Sequence, residues 1–143
     1  MNTTFFSTML SFVEQYPRNK IVFYKEPLFD IIPIDVGKLL AQSLFNFNNE
    51  NRLPMRATEE LDKILSKSVF EHPNFGRTLA IANVGILFEP DLKQDFKRII
   101  DNHSTNNLLL IEWEGEIEDN TIYFLSKEKG IQINMNNLSH IAL

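Results

Sequence analysis

Two nearly continuous apolar runs, separated by a helical pattern, constrain the fold of this chain most strongly. The first run covers residues 78–84 and the second covers residues 108–113, and such runs are typical of strands that are covered on both faces. Between them, Pro90 is placed to begin a helix whose inward-facing residues are Leu92, Phe96, Ile99 and Ile100. A strand, a helix and a second strand in this order predict a parallel pair with a right-handed crossover.

The first half of the chain contains three further helical patterns. Apolar residues at helical spacing predict one helix that starts near Phe5 and ends before Pro17. Asp35 is placed to cap a second helix, whose apolar stripe runs as far as Phe47. A third helix is expected over residues 57–71, with its apolar residues on one face.

Short β-prone runs complete the expected architecture. Two of them, residues 21–24 and 29–34, are separated by so short a turn that we expect an antiparallel hairpin, unless one of them is not a strand. Residues 122–125 and 131–133 flank a turn and predict a small C-terminal hairpin. The fold class is therefore α/β, a mostly parallel sheet with flanking helices plus this hairpin, in a single domain over residues 1–143.

Composition excludes several classes of function. The chain has no cysteine, which removes disulfides, thiolate metal sites and cysteine nucleophiles. Its net charge is −5 and its cations are scattered, so we expect no direct binding to nucleic acid. The N-terminal apolar stretch lacks a preceding basic region and is followed by Glu14, which disfavours a signal peptide. Residues 79–88 are too few to span a bilayer, so we expect no membrane contact and a cytoplasmic location.

Residues 86–95 (ILFEPDLKQD), and residues 104–115 ending in Trp113-Glu114-Gly115, resemble the BrxF-type small P-loop proteins of bacteriophage-exclusion (BREX) defence systems. The likeness extends loosely over nearly the whole chain. In that family a first strand runs into a glycine-rich Walker A loop, and a later strand ends in a Walker B sequence of Asp-Asn-x-Glu type. The resemblance implies a P-loop-NTPase-like fold and a place beside a large ATPase, a phosphatase-like protein and a DNA methyltransferase.

The chain departs from the family pattern wherever that pattern binds nucleotide. After the first strand it reads Lys25-Glu26-Pro27-Leu28, with no glycine to form a phosphate cradle. Ala82 stands at the position of the metal-binding Asp, before a retained Asn83, and Gly85 stands at the position of the catalytic Glu. The family tends to show Ser-Arg-Asn-Arg where this chain has Ser-Thr-Asn-Asn, at residues 104–107.

These departures predict a degenerate P-loop-like domain that lacks the P-loop. We expect a pseudo-NTPase with no catalytic, cofactor-binding or metal-binding residues, because nothing remains to hold a triphosphate or to activate water. Such a protein is expected to be an adaptor or scaffold subunit of a prokaryotic anti-phage defence assembly. Its expected partners are proteins of that assembly or further copies of itself.

Two alternatives stay open at this point. One alternative to the adaptor is a nucleotide or nucleic-acid binding module that retains a crevice at the strand ends without hydrolysis. A third reading is a metal-dependent enzyme, because Glu112, Glu114, Glu116 and Glu118 share one face of an unbroken strand. Gly115 favours a broken strand instead, with these acids on an exposed edge.

The remaining candidate residues have simpler interpretations. His72, His103 and His140 are scattered and are expected to be surface histidines. Phe12 and Phe45 lie beside the apolar stripes of their helices and are therefore candidates for an exposed aromatic surface.

Overall fold

The structure is a computed structural model that describes residues 3–28, 30–45 and 51–143. Its helices are α1 (Thr3–Glu14), α2 (Val36–Leu44), α3 (Leu53–Ser68) and α4 (Phe96–Ser104). Its strands are β1 (Lys20–Tyr24), β2 (Ile34–Asp35), β3 (Phe70–His72), β4 (Gly76–Ala82), β5 (Leu108–Glu112), β6 (Gly115–Glu118), β7 (Thr121–Phe124), β8 (Ile131–Asn134) and β9 (His140–Ala142).

The central layer is a six-stranded sheet in the order β2-β4-β5-β1-β9, with every neighbouring pair parallel. The sixth strand, β3, forms an antiparallel pair with the first half of β4. The predicted α/β class and the parallel pairing of β4 with β5 are thus confirmed. The predicted C-terminal hairpin is also present as β7 and β8, and β6 adds a third antiparallel strand to it.

Helices cover both faces of the central sheet. On one face, α2, α3 and α4 pack with the small antiparallel sheet around a core that contains Phe23, Ile81 and Ile111. On the other face, α1 packs over Val22 and Leu110. Because residues on a strand point to alternate faces, the continuous apolar runs of β1, β4 and β5 supply both cores.

The hairpin expected for residues 21–24 and 29–34 is wrong, whereas the alternative, that one run is not a strand, holds for residues 30–33. Of the run 29–34, Phe29 lies outside the described residues, and residues 30–33 are not in a strand. Ile34 begins the two-residue strand β2, which lies parallel to β1 in the same sheet with β5 and β4 between them. We expected a parallel strand here to require a long return path, but β2 meets only the carboxyl end of β4. The segment 25–33 therefore only has to cross about 14 Å along the carboxyl edge of the sheet. It does not have to run back to the amino ends of the strands, so nine residues are long enough.

The boundaries of two helices also differ from the sequence prediction. The helix α4 begins at Phe96 with Asp95 as its cap, whereas Pro90–Leu92 is a separate 3-10 turn ended by Lys93 in the left-handed conformation. The helix α3 starts earlier, with Pro54 in its first turn, and ends at Ser68. Residues 70–72, expected to be helical or to stop the helix, form β3 because they pair with β4. Phe47, expected on the stripe of α2, lies outside the described residues.

Replacing Gly115 with Ala is expected to lower the free energy of unfolding strongly. Gly115 has φ +152°, and an added Cβ would stand 1.9 Å from the Tyr123 carbonyl oxygen, so the pairing of β6 with β7 would have to open. We expect a loss of about 3 kcal/mol or more in urea unfolding. Gly76 is the matched control because it has φ +75° with no atom within 4 Å of an added Cβ, so its change to Ala should cost only about 1 kcal/mol. Equal losses at the two positions would contradict this description.

Candidate functional site

The carboxyl edge of the parallel sheet is the place where a fold of this class binds ligands. Four strands end there at the same level. Tyr24 of β1 is opposite Glu112 of β5, and Ala82 of β4 is opposite Asp35 of β2. The turns that follow β1, β4 and β5 therefore form one surface, and each of them carries a position that the resemblance singled out.

The turn after β1 is held against the small antiparallel sheet. The ammonium of Lys25 donates a hydrogen bond to the carbonyl oxygen of Gly115, the first residue of β6. Beyond it, Leu28 and Ile31 are buried in the core under α1, so the segment 25–33 is anchored by its own apolar side chains. Lys25, the cation that follows β1, thus joins the end of β1 to the start of β6.

The turn after β4 is joined to the start of α2. Asn83, in the left-handed conformation, donates from Nδ2 to Oδ1 of Asp35 at 2.7 Å. The Asn83 carbonyl oxygen accepts a hydrogen bond from the Gly37 N–H at 3.0 Å. Asp35 also accepts from the Lys38 N–H at 2.9 Å, so its carboxylate is the cap of α2. Asn83 therefore links β4, β2 and α2.

The negative charge of Asp35 opposes the binding of an anion beside Asn83 and the start of α2. The Lys38 N–H and then the Asn83 amide hold the pKa of Asp35 below its usual range, because both donate to the ionised carboxylate. Asp35 therefore stays negatively charged at the N-terminus of α2. A phosphate at this helix end would compete with Asp35 for the same N–H group and would be repelled by its charge.

Gly85, which the resemblance aligned with a catalytic Glu, faces a closely packed aromatic ring. Gly85 lies in the 3-10 turn Val84–Phe88, and an added Cβ would stand 2.9 Å from Cζ of Phe124 in β7. Phe124 itself packs on Phe88 and Trp113, with ring centroids 4.8 and 5.8 Å apart. This aromatic cluster, which Phe96 completes, seats the small antiparallel sheet on the carboxyl edge of β4 and β5.

The acidic residues after β5 do not form one ladder. Gly115 interrupts the strand, as expected, so Glu112 lies in β5 whereas Glu116 and Glu118 lie in β6. Glu116 accepts a hydrogen bond from the Lys127 N–H at 3.0 Å, and Glu118 forms an ion pair with the Lys127 ammonium. The hydrogen bond that the Lys127 ammonium donates to the Glu118 carboxylate raises the pKa of Lys127. Within residues 3–28, 30–45 and 51–143, no three acidic or histidine side chains are grouped so as to hold a metal ion.

Residues 104–107 lie at the opposite edge of the sheet, where β5 begins. Ser104 is buried and accepts a hydrogen bond from the Asn19 amide at 3.0 Å. Asn107 accepts from the Arg77 guanidinium at 3.2 Å and donates to the His103 carbonyl oxygen at 3.1 Å. These side chains hold the connection from α4 to β5. They lie at the opposite end of the strands from Lys25, Asn83 and Gly85.

The histidines are not all at the surface. His72 is 5% exposed, its Nε2 lies 2.9 Å from Asp30 Oδ2, and its ring stacks on Phe75. The expectation of a surface histidine is wrong there because β3 turns this residue inward. His103 lies 3.3 Å from Asp62 and His140 is partly buried, so neither is freely exposed.

The expected aromatic surface is present at one of its two positions. Phe12 is 8% exposed and belongs to the core under α1, so the expectation is wrong for it. Phe45, at the end of α2, is 75% exposed, which confirms the expectation for that residue. An exposed phenylalanine on an ordered helix end is a feature typical of contact surfaces.

Two buried polar atoms at the carboxyl edge were missed by sequence reasoning. The Tyr24 hydroxyl and the Trp113 indole nitrogen are buried, and neither has a hydrogen-bond partner among the described residues. Burial, followed by the negative charge of Glu112, raises the pKa of Tyr24. No sequence signal marks them, since a strand-end Tyr or Trp is ordinarily expected to reach a partner.

Replacing Tyr24 with Phe is expected to flatten the alkaline loss of stability. Because folding raises the Tyr24 pKa, the native state keeps its proton where the unfolded state loses it. The wild-type free energy of unfolding should therefore fall as the pH rises above about 10. Tyr24→Phe removes this contribution, and at pH 7 it should be neutral or stabilising by up to about 1 kcal/mol, since the hydroxyl is unpartnered. Urea unfolding at pH 7 to 11 checks this against the exposed control Tyr16→Phe. Parallel pH profiles for Tyr24→Phe and wild type would contradict the burial of this hydroxyl.

Replacing Gly85 with Ala is expected to destabilise the protein through Phe124 alone. The added Cβ forces the Phe124 ring to move, which should cost about 1–2 kcal/mol. In a Phe124→Leu background the same change should cost less than half as much, because the ring atom at 2.9 Å is gone. A double-mutant cycle by urea unfolding measures the coupling. A coupling of zero would mean that Gly85 does not face Phe124.

No family model matches this chain, and neither a curated protein nor a solved structure matches it. Among the described residues, no helix is both long enough and apolar enough to cross a membrane.

Proposed function

We propose that the protein is a non-catalytic adaptor or scaffold subunit of a prokaryotic anti-phage defence assembly, built on a P-loop-like domain that has lost the P-loop. One observation carries the proposal. The polar groups after β1 and β4, where such a domain grips nucleotide, are bound to other parts of the same chain. Asn83 is bound to Asp35, and the Lys25 ammonium is bound to Gly115.

Binding and hydrolysis of a triphosphate require several free groups on the protein. A phosphate cradle supplies several free backbone N–H groups and a mobile cation, and hydrolysis adds Mg²⁺ ligands and a group that positions water. At this edge the Lys38 N–H already faces the ionised Asp35, and the Lys25 cation already faces a carbonyl oxygen. Binding nucleotide would require the chain to break these contacts. The domain is better suited to present its outer surface than to enclose a ligand at its strand ends.

Membership of a defence assembly rests on the resemblance at residues 86–95 and 104–115. It fits a cytoplasmic protein that works beside a large ATPase, a phosphatase-like protein and a DNA methyltransferase. In such an assembly the nucleotide chemistry would belong to the ATPase. The role of this subunit would be to hold partners or further copies of itself through surface contacts such as the one at Phe45.

Isothermal calorimetry with ATP and Mg²⁺ is expected to give no binding at micromolar concentrations, and a phosphate-release assay is expected to give no turnover. An active P-loop ATPase serves as the positive control for both. If binding is seen, Lys25→Ala tests whether the nucleotide contacts the turn after β1, and Lys129→Ala is the matched exposed control. Micromolar binding that Lys25→Ala abolishes would replace this proposal with a nucleotide-binding module. Phosphate release at an enzymatic rate would also contradict it.

The assembly itself is tested by affinity purification of the tagged protein from its native host, followed by mass spectrometry. Recovery of a large ATPase, a phosphatase-like protein or a DNA methyltransferase in stoichiometric amounts is the expected result. Recovery of the chain alone, as a monomer, would contradict the adaptor role.

A further inference from the structure

An apolar groove runs along the outside of the domain between α2, α3 and the 3-10 segments that follow β4. Its floor and walls come from the end of α2, the start of α3 and the turn Val84–Phe88, and its volume is about 380 Å³. Phe45, Leu53 and Ile86 contribute apolar surface to it. Leu44 and Leu92, which also line it, belong to the buried core. The groove is therefore backed by the core.

Among the described residues that line the groove, every charged side chain is acidic. Its two charged lining residues, Glu89 and Asp91, are exposed carboxylates that flank Pro90. No hydrogen bond or ion pair joins either carboxylate to another residue in the described part of the chain. By contrast Asp35 and Asp95 cap helices, and Glu118 is paired with Lys127. The acids at the groove thus keep their full capacity to bind a cation from outside.

From this juxtaposition, we infer that the groove docks a segment of a partner protein that carries apolar side chains next to Lys or Arg. Phe45 would be the anchor, because it is a large ring held on a helix end and exposed to 75%. Glu89 and Asp91 would select the cations. The groove is open along one side, which suits a peptide segment laid into it rather than an enclosed small molecule.

A second copy of this chain fits the groove less well than a basic partner. A two-fold interface would place the same patch against itself, and Glu89 and Asp91 would meet their own counterparts. The chain as a whole carries a net charge of −5, which adds to that repulsion. The occupant that the charges favour is therefore a basic, amphipathic segment of a different protein.

This inference rests on the proposed function, because it names the surface through which an adaptor would act. Its test is a selection of peptides from a random display library on the immobilised full chain. The enriched peptides should combine aromatic or branched apolar residues with Lys or Arg, and they should bind with micromolar affinity in fluorescence anisotropy. Absence of enrichment, or enrichment of acidic peptides, would overturn the inference.

Variants then locate the binding. Phe45→Ser should weaken the selected peptide at least tenfold, and the double variant Glu89→Lys with Asp91→Lys should weaken it by about as much, more strongly at low salt. The matched controls are Leu125→Ser, an exposed apolar residue elsewhere, and Glu71→Lys with Glu128→Lys, a charge reversal of the same size. Equal losses in the controls would overturn the site.

Other occupants give different results. If a second copy fills the groove, light scattering will detect a dimer that Phe45→Ser dissociates. If the chain covers its own groove, Phe47→Ser will strengthen peptide binding at least tenfold. Either result contradicts a partner segment. Affinity purification with wild type and with Phe45→Ser separates the two proposals. Failure to recover partners with wild type refutes the adaptor role. Equal recovery of partners with both proteins refutes only the docking groove.

Discussion

The hydrogen bond from Asn83 to Asp35 is the contact that organises the carboxyl edge of the central sheet. It joins the end of the central strand β4 to the short edge strand β2 and to the first turn of α2. Because Asp35 also caps α2, one carboxylate fixes a strand end, a helix start and the entry of the segment 25–33 into the sheet. The contact uses the groups that a nucleotide-binding edge would keep free.

The aromatic cluster of Phe88, Phe96, Trp113 and Phe124 closes the neighbouring part of the same edge. It seats the small sheet of β6, β7 and β8 over the ends of β4 and β5. The ion pair of Lys127 with Glu118 then holds the turn between β7 and β8 onto β6. Polar contacts at Asp35 and Asn83 and apolar contacts in the aromatic cluster therefore both occupy the usual ligand edge of this parallel sheet.

Local patterns in the sequence were sufficient for much of the fold. The apolar runs of β4 and β5 predicted a buried parallel pair, and Asp35 before a helical stripe predicted the cap of α2. Contacts between distant residues explain the differences. Residues 70 and 71 continue a helical pattern, yet pairing with β4 places residues 70–72 in a strand, and Asp30 and Phe75 then enclose His72. The packing of Phe124 on Gly85 joins positions that no local pattern relates.

Amide hydrogen exchange at the start of α2 tests the central claim most directly. The Gly37 and Lys38 N–H groups donate to the Asn83 carbonyl oxygen and to the Asp35 carboxylate, respectively. The account predicts that both amides are protected in the free protein and that ATP with Mg²⁺ leaves their exchange rates unchanged. Fast exchange at both amides that slows when ATP and Mg²⁺ are added would mean that this edge is open and receives a phosphate, and it would contradict the account.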